Sequence, residues 1–106
     1  MADILVNSEQ WNSISEKEKE KITEGLRQVG ALRSEDQVKG DPAVVPFDEN
    51  TQLAPMWNPI KDICKALCDT TAAAGAAWCT ANTAGVGLAV CLAAAEVARH
   101  ECRNRC

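Results

Sequence analysis

Six cysteines, all between positions 64 and 106, constrain this 106-residue chain more than any other feature. They are Cys64, Cys68, Cys79, Cys91, Cys102 and Cys106, and their spacing, C-x3-C-x10-C-x11-C-x10-C-x3-C, is the same in both directions. Paired from the outside in, Cys64 with Cys106, Cys68 with Cys102 and Cys79 with Cys91, all three pairs share one midpoint, Gly85. An antiparallel hairpin folded about a central turn has that property. Gly85 falls in the loop-like run Asn82-Thr83-Ala84-Gly85-Val86-Gly87. Within each half the cysteines are 4 and 11 residues apart, and at about 100° per residue both steps return to nearly the same face of a helix. Each triplet is therefore one stripe on its own helix.

Side-chain size agrees with this arrangement. A disulfide holds two Cα atoms about 5.5 Å apart, closer than the ~8–10 Å between the axes of ordinary helix pairs. Residues between the rungs must be small. Ala72 and Gly75 continue the first stripe, Ala95 and Ala98 the second, and the mirror places Gly75 opposite Ala95 and Ala72 opposite Ala98. Six cysteines allow many pairings, but a Cys64–Cys68 bond within one helix is geometrically poor, so the nested set is favoured. The competing reading is six free cysteines used as small buried residues.

The rest of the composition makes such cross-links useful. One Phe, no Tyr and an Ala-rich apolar fraction bury little area at roughly 25 cal/mol per Å². Closing the outer loop is worth about 4 kcal/mol in the chain-entropy account. Disulfide density of this kind points to an oxidising compartment. The N-terminal Met1-Ala-Asp-Ile-Leu-Val-Asn-Ser-Glu-Gln lacks a basic region and a long apolar stretch, so it does not read as a secretory signal. Export by a dedicated, leader-dependent route is the expectation that reconciles the two.

The fold expected is all-α: a disulfide-stapled antiparallel helical hairpin preceded by an N-terminal amphipathic helix and a Pro-rich linker. Residues 1–30 read as a leader-like region. Its amphipathic helix, over 11–29, contains the capping box Ser15-Glu16-Lys17-Glu18, carries Trp11, Ile14, Ile22, Leu26 and Val29 on one face, and ends at Gly30. Residues 31–59 read as linker and contain all four prolines, Pro42, Pro46, Pro55 and Pro59. A short extended segment at Ala43–Phe47 is opposed by Pro46 as a central strand. Residues 60–106 are the hairpin, with Asn58 and Pro59 placed to start it.

Charge is unevenly divided. Residues 1–60 hold six Lys/Arg and eleven Asp/Glu, whereas residues 61–106 hold five and four. Residues 70–95 carry no charge over 26 residues. That length raises a transmembrane span, but the Ala/Thr/Gly content, Asn82 and the Gly-Val-Gly break argue against a single one. Beside the cysteines, Ile63, Leu67, Ala74 and Trp78 form a second stripe. Either the N-terminal helix docks there through Trp11, Ile22 and Leu26, or Ile63, Leu67 and Trp78 form an interaction patch for a membrane or partner.

No catalytic or cofactor constellation is present, so an enzyme is not expected. His100, the only histidine, neighbours Glu96 and Glu101, but His100 and Cys102 lie about 200° apart on a helix, too far for a nucleophile–base pair. There is no phosphate loop, and a net charge of −4 gives no basic patch for nucleic acid. The chemical rival is metal: two Cys-x3-Cys pairs suit a soft ion such as Cu(I), although that leaves Cys79 and Cys91 unexplained.

Two resemblances attach to these cysteines. The pairs Cys68-x10-Cys79 and Cys91-x10-Cys102 are similar to the twin motifs of coiled-coil-helix-coiled-coil-helix proteins of the mitochondrial intermembrane space. Cys64, Cys106 and the Ala/Gly richness depart from that pattern. Residues 60–106 also resemble glycocins, whose nested disulfides cross an Ala/Gly-rich helical hairpin, and microhalocin-type bacteriocins, Cys-rich cargoes behind an acidic, cysteine-free leader. Gly30-Ala31 stands as a variant double-glycine cleavage site. The second resemblance implies the precursor of a secreted antibacterial peptide acting on a membrane or cell-envelope target, with a peptide exporter and a protease as partners. The alternatives are an intracellular or intermembrane-space thiol protein, binding Cu(I) or serving as a redox or assembly scaffold, and a non-catalytic interaction module.

Overall fold

The computed structural model describes residues 3–44 and 63–104. In chain order these form strand β1 (Asp3–Asn7), helices α1 (Ser8–Asn12) and α2 (Glu16–Gln28), strand β2 (Gln37–Asp41), and helices α3 (Ile63–Asn82) and α4 (Gly85–Asn104). The molecule is mostly helical, but the all-α expectation needs correction. β1 and β2 form a two-stranded parallel sheet in register from Asp3↔Gln37 to Asn7↔Asp41. Parallel strands require a crossover between them, and α1 and α2 provide it. β2 lies inside the stretch read from sequence as linker. The segment Ala43–Phe47 is described only to Val44, after β2 has ended.

The expected helix over 11–29 is two helices, broken at Ser13–Ser15. Asn7 caps α1, accepting from the Gln10 N–H at 3.0 Å, and its Nδ2 donates to the Val44 carbonyl at 2.7 Å. Ser13 Oγ donates to the Glu9 carbonyl at 2.6 Å, satisfying an orphan acceptor at the end of α1. Trp11 therefore belongs to α1. Ser15 caps α2 as expected, accepting from the Glu18 N–H at 3.2 Å. At the other end Gly30 has φ +84°. Its N–H donates to the Arg27 carbonyl at 3.1 Å, and the Ala31 N–H to the Leu26 carbonyl at 2.9 Å. That pair of bonds is the Schellman arrangement, which needs a residue comfortable at positive φ.

Arg27 Nη2 donates to the Asp36 carbonyl at 3.0 Å, and Asp36 Oδ2 accepts from the Arg33 N–H at 3.1 Å. Together they fix the turn that leads into β2. Ile4 and Val6 of β1 alternate inward, with Asp3 and Leu5 outward, as a half-buried strand requires.

The core is one cluster shared by both halves of the chain. Ile4, Val6, Ile22, Leu26 and Leu32 from the first half join Cys79, Val90, Cys91 and Ala93–Ala95 from the second. α4 is the central element, with Ala89–Ala95, Ala98 and Arg99 all buried. α3 packs on one side of α4, and β1, α1 and α2 pack on the others. α3 is outermost and buries only Cys68, Ala72, Gly75 and Cys79. Among the described residues, no helix is long and apolar enough to cross a membrane.

Candidate functional site: the riveted hairpin

α3 and α4 run antiparallel and are joined at Thr83–Ala84, with Gly85 at φ +62°. The turn thus falls within two residues of the symmetry centre of the cysteine pattern. Cys68 is bonded to Cys102 and Cys79 to Cys91, each with Cα atoms 5.7 Å apart. Both are nested rungs expected from the spacing. Cys64 is also disulfide-bonded; its expected partner, Cys106, lies outside the described residues, as do Asn58 and Pro59.

The small residues sit where the mirror places them. Ala72 and Ala98 are buried. A Cβ added to Gly75 would lie 3.5 Å from the Ala95 Cβ. The inner rung, Cys79–Cys91, has no exposed surface.

At the open end of the hairpin, charges replace apolar contacts. Asp69 on α3 accepts from Arg103 on α4 at 2.8 Å and lies 4.0 Å from the Arg99 Nε. Arg99 is buried and donates to Glu96 at 2.6 Å. Burying a guanidinium without such partners costs several kcal/mol. Sequence reasoning passed over this set. Its signal was present, because Asp69 and Glu96 are the first charges flanking the neutral run, so folding the run in half brings its flanks together.

His100 projects from α4 with 63 % of its side chain exposed, and its Nε2 is 3.1 Å from Glu96 Oε1. It is the solvated histidine near a helix end that its position implies. Cys102 is in a disulfide, so the two form no nucleophile–base pair. A small polar cavity of about 30 Å³ lies beside the Cys68–Cys102 rung, lined by Arg33, Asp36, Arg99 and Glu101 among others. It has room for water. Among the described residues no group of three or more His, Cys, Asp or Glu is placed to hold a metal ion. A Cu(I) site needs thiolates, and the sulfurs of Cys68, Cys79, Cys91 and Cys102 are bonded to one another.

The second stripe divides. Trp78 is half-buried and lies over Gly25 of α2, so closely that a Cβ there would be 2.0 Å from the indole. Leu26 and Ala31 reach Gly75 in the same way. The N-terminal helix therefore docks on α3, with Gly25 and Leu26 at the contact, while Trp11, which lies in α1, packs against the shared core. Ile63 and Leu67, about three to four turns further from the tip, remain 79 % and 60 % exposed. The three residues do not form one continuous free patch.

Comparisons of the chain with protein-family models, with characterised proteins and with solved structures found no match.

Proposed function

We propose that this chain is the precursor of a secreted, disulfide-stapled antibacterial peptide of the bacteriocin kind. The hairpin of residues 60–106 is the active part, and its target is a membrane or the cell envelope. The observation that supports this most is the distribution of covalent bonds. Every cysteine lies at or beyond position 64, and the described rungs join α3 only to α4. The hairpin is self-sufficient covalently, whereas the N-terminal segment joins it through the main chain and non-covalent packing. A leader at 1–30, a linker at 31–59 and cleavage between the halves complete the layout, with a dedicated peptide exporter and a protease as the partners it requires. The rungs would form in an oxidising compartment, and the peptide would act by binding rather than by catalysis.

The test is growth inhibition. Oxidised chain, cut between its halves, is applied to a broad bacterial panel beside uncut chain. Inhibition by the cut chain supports the proposal. A cut chain with its disulfides intact that inhibits nothing on the panel removes it.

A further inference from the structure

The non-covalent packing covers a particular surface. On α4 the stripe Cys91, Ala95, Ala98 and Cys102 faces α3. At about 100° per residue, Ala89, Ala93 and Val97 point away from that stripe, with Val90 on the flank. Ala89, Val90 and Ala93 are nonetheless buried, because β1, α1 and α2 pack there. The core side chains on the covering side are Ile4, Val6, Ile22 and Leu26.

The same covering layer brings polar groups to the hairpin tip. Lys21 Nζ donates to the Asn82 carbonyl at 2.5 Å, a cation at the C-terminus of α3. Glu18 lies over Gly87, its Oε1 2.7 Å from where a Cβ would stand, an anion at the N-terminus of α4. Both positions are favourable against the helix dipoles. Without these groups the hairpin carries no charge anywhere from Thr70 to Ala95. Its described charges gather at the open end, in Lys65, Asp69, Glu96, Arg99, Glu101 and Arg103.

We infer that β1, α1, α2 and β2 act as a removable cap, and that the α4 face beneath them is a lipid-binding surface exposed when the cap leaves. The lipid half of this inference rests on the peptide-precursor reading; the cap half does not. The partner is a bilayer because the uncovered hairpin has charge at one end only. A neutral tip can enter the headgroup and upper acyl region while the charged base stays in water. A 20-residue helix is about 30 Å long, yet neither helix is apolar enough to cross, so the hairpin sits in one leaflet. A protein groove would be expected to meet charge along the whole face; from Gly87 to Ala95 this one carries none, and Glu96 and His100, which share the face by the same geometry, lie at the charged base.

The experiment uses the whole oxidised chain carrying a protease recognition sequence inserted between residues 45 and 62, with sedimentation on phosphatidylglycerol/phosphatidylethanolamine vesicles. Uncut chain should sediment at background. After cutting, the two pieces should co-elute in gel filtration without vesicles, showing that the cap holds non-covalently. With vesicles, the hairpin piece should sediment at least ten-fold more than uncut chain, leaving the cap in solution. Leu26→Ala changes only the cap and should raise vesicle binding of the uncut natural-sequence chain several-fold; it decides the matter alone if the insertion disturbs folding. Equal sedimentation before and after cutting, no effect of Leu26→Ala, or pieces that separate spontaneously would each overturn the inference. Growth assays on the same samples separate the two ideas. Growth inhibition without vesicle binding removes the lipid surface and leaves the precursor function. Vesicle binding without inhibition removes the precursor function and leaves the surface.

Discussion

Gly75 of α3 rests against Ala95 of α4, and the same point of α3 also receives Ala31 and Leu26. A Cβ on Gly75 would stand 3.5 Å from the Ala95 Cβ, an ordinary contact, but 2.9 Å from the Ala31 Cβ and 3.2 Å from Leu26 Cδ2. The hairpin could accommodate alanine here; the N-terminal layer cannot without shifting. Overpacking costs about 1–3 kcal/mol, offset in part by the ~1 kcal/mol helix-propensity gain of Ala over Gly. Gly75→Ala should therefore lower stability by about 1 kcal/mol in non-reducing denaturant unfolding. Adding Ala31→Gly should restore most of it, whereas no such rescue should come from Ala95→Gly.

Gly25 and Trp78 give a sharper version of the same test. The indole atoms lie 2.0–2.3 Å from the position of a Gly25 Cβ, so Gly25→Ala must push Trp78 aside. The half-buried ring can swing toward solvent, and the expected loss is about 1–3 kcal/mol. With Trp11 and Trp57 replaced by Phe, the emission of Trp78 should shift to longer wavelength in Gly25→Ala. An unchanged spectrum would show that α2 does not cover the ring.

These two glycines mark the boundary of what sequence could supply. The two described rungs, the turn at Gly85, the Gly75–Ala95 facing, the Ser15 cap and the Gly30 terminus were legible because each is local or enforced by the mirrored spacing. The sheet was not. β1 offers only the alternation of Ile4 and Val6 in a five-residue strand, and β2, Gln37-Val-Lys-Gly-Asp41, contains a single apolar residue and a glycine. Its pairing comes from the crossover, which leaves no periodic trace. Gly25 was visible as a helix-interior glycine with a propensity cost of ~1 kcal/mol, but only the packed partner reveals why it is there. At the hairpin, the meeting of Asp69 on α3 with Arg103 on α4 was not read from the sequence, although folding the neutral run in half brings its charged flanks together.

Asp69 is the acceptor that closes the open end of the hairpin. It bonds Arg103 at 2.8 Å, with 22 % and 14 % of the two side chains exposed. Hydrogen bonds to charged groups contribute about 1.5–3 kcal/mol when sheltered, so Asp69→Asn should destabilise by about 1–2 kcal/mol. A double-mutant cycle with Arg103→Gln should return a coupling near 1 kcal/mol. A coupling indistinguishable from zero would place this pair with ordinary surface ion pairs.

The two described rungs should differ in how they fail. Cys68–Cys102 spans 34 residues and Cys79–Cys91 spans 12; in the chain-entropy account these loops are worth about 4 and about 3 kcal/mol. On loop length alone, Cys68→Ala/Cys102→Ala should be the more damaging pair of substitutions. Packing adds to the other side. Cys79 and Cys91 are both fully buried within the shared core, whereas Cys102 is half-buried at its edge. Cys79→Ala/Cys91→Ala should therefore lose its rung and also core contacts with the N-terminal layer, roughly 1–2 kcal/mol for the deleted buried atoms. The two double variants should thus show similar total losses with different signatures. Removing the Cys68–Cys102 rung should leave protection of β1 and α2 amides in hydrogen exchange nearly unchanged, because that rung lies outside the core cluster shared with the N-terminal layer. Removing the inner rung should lower protection across both halves together. Equal exchange patterns in the two variants would mean that the inner rung is only a cross-link and does not couple the hairpin to its covering layer.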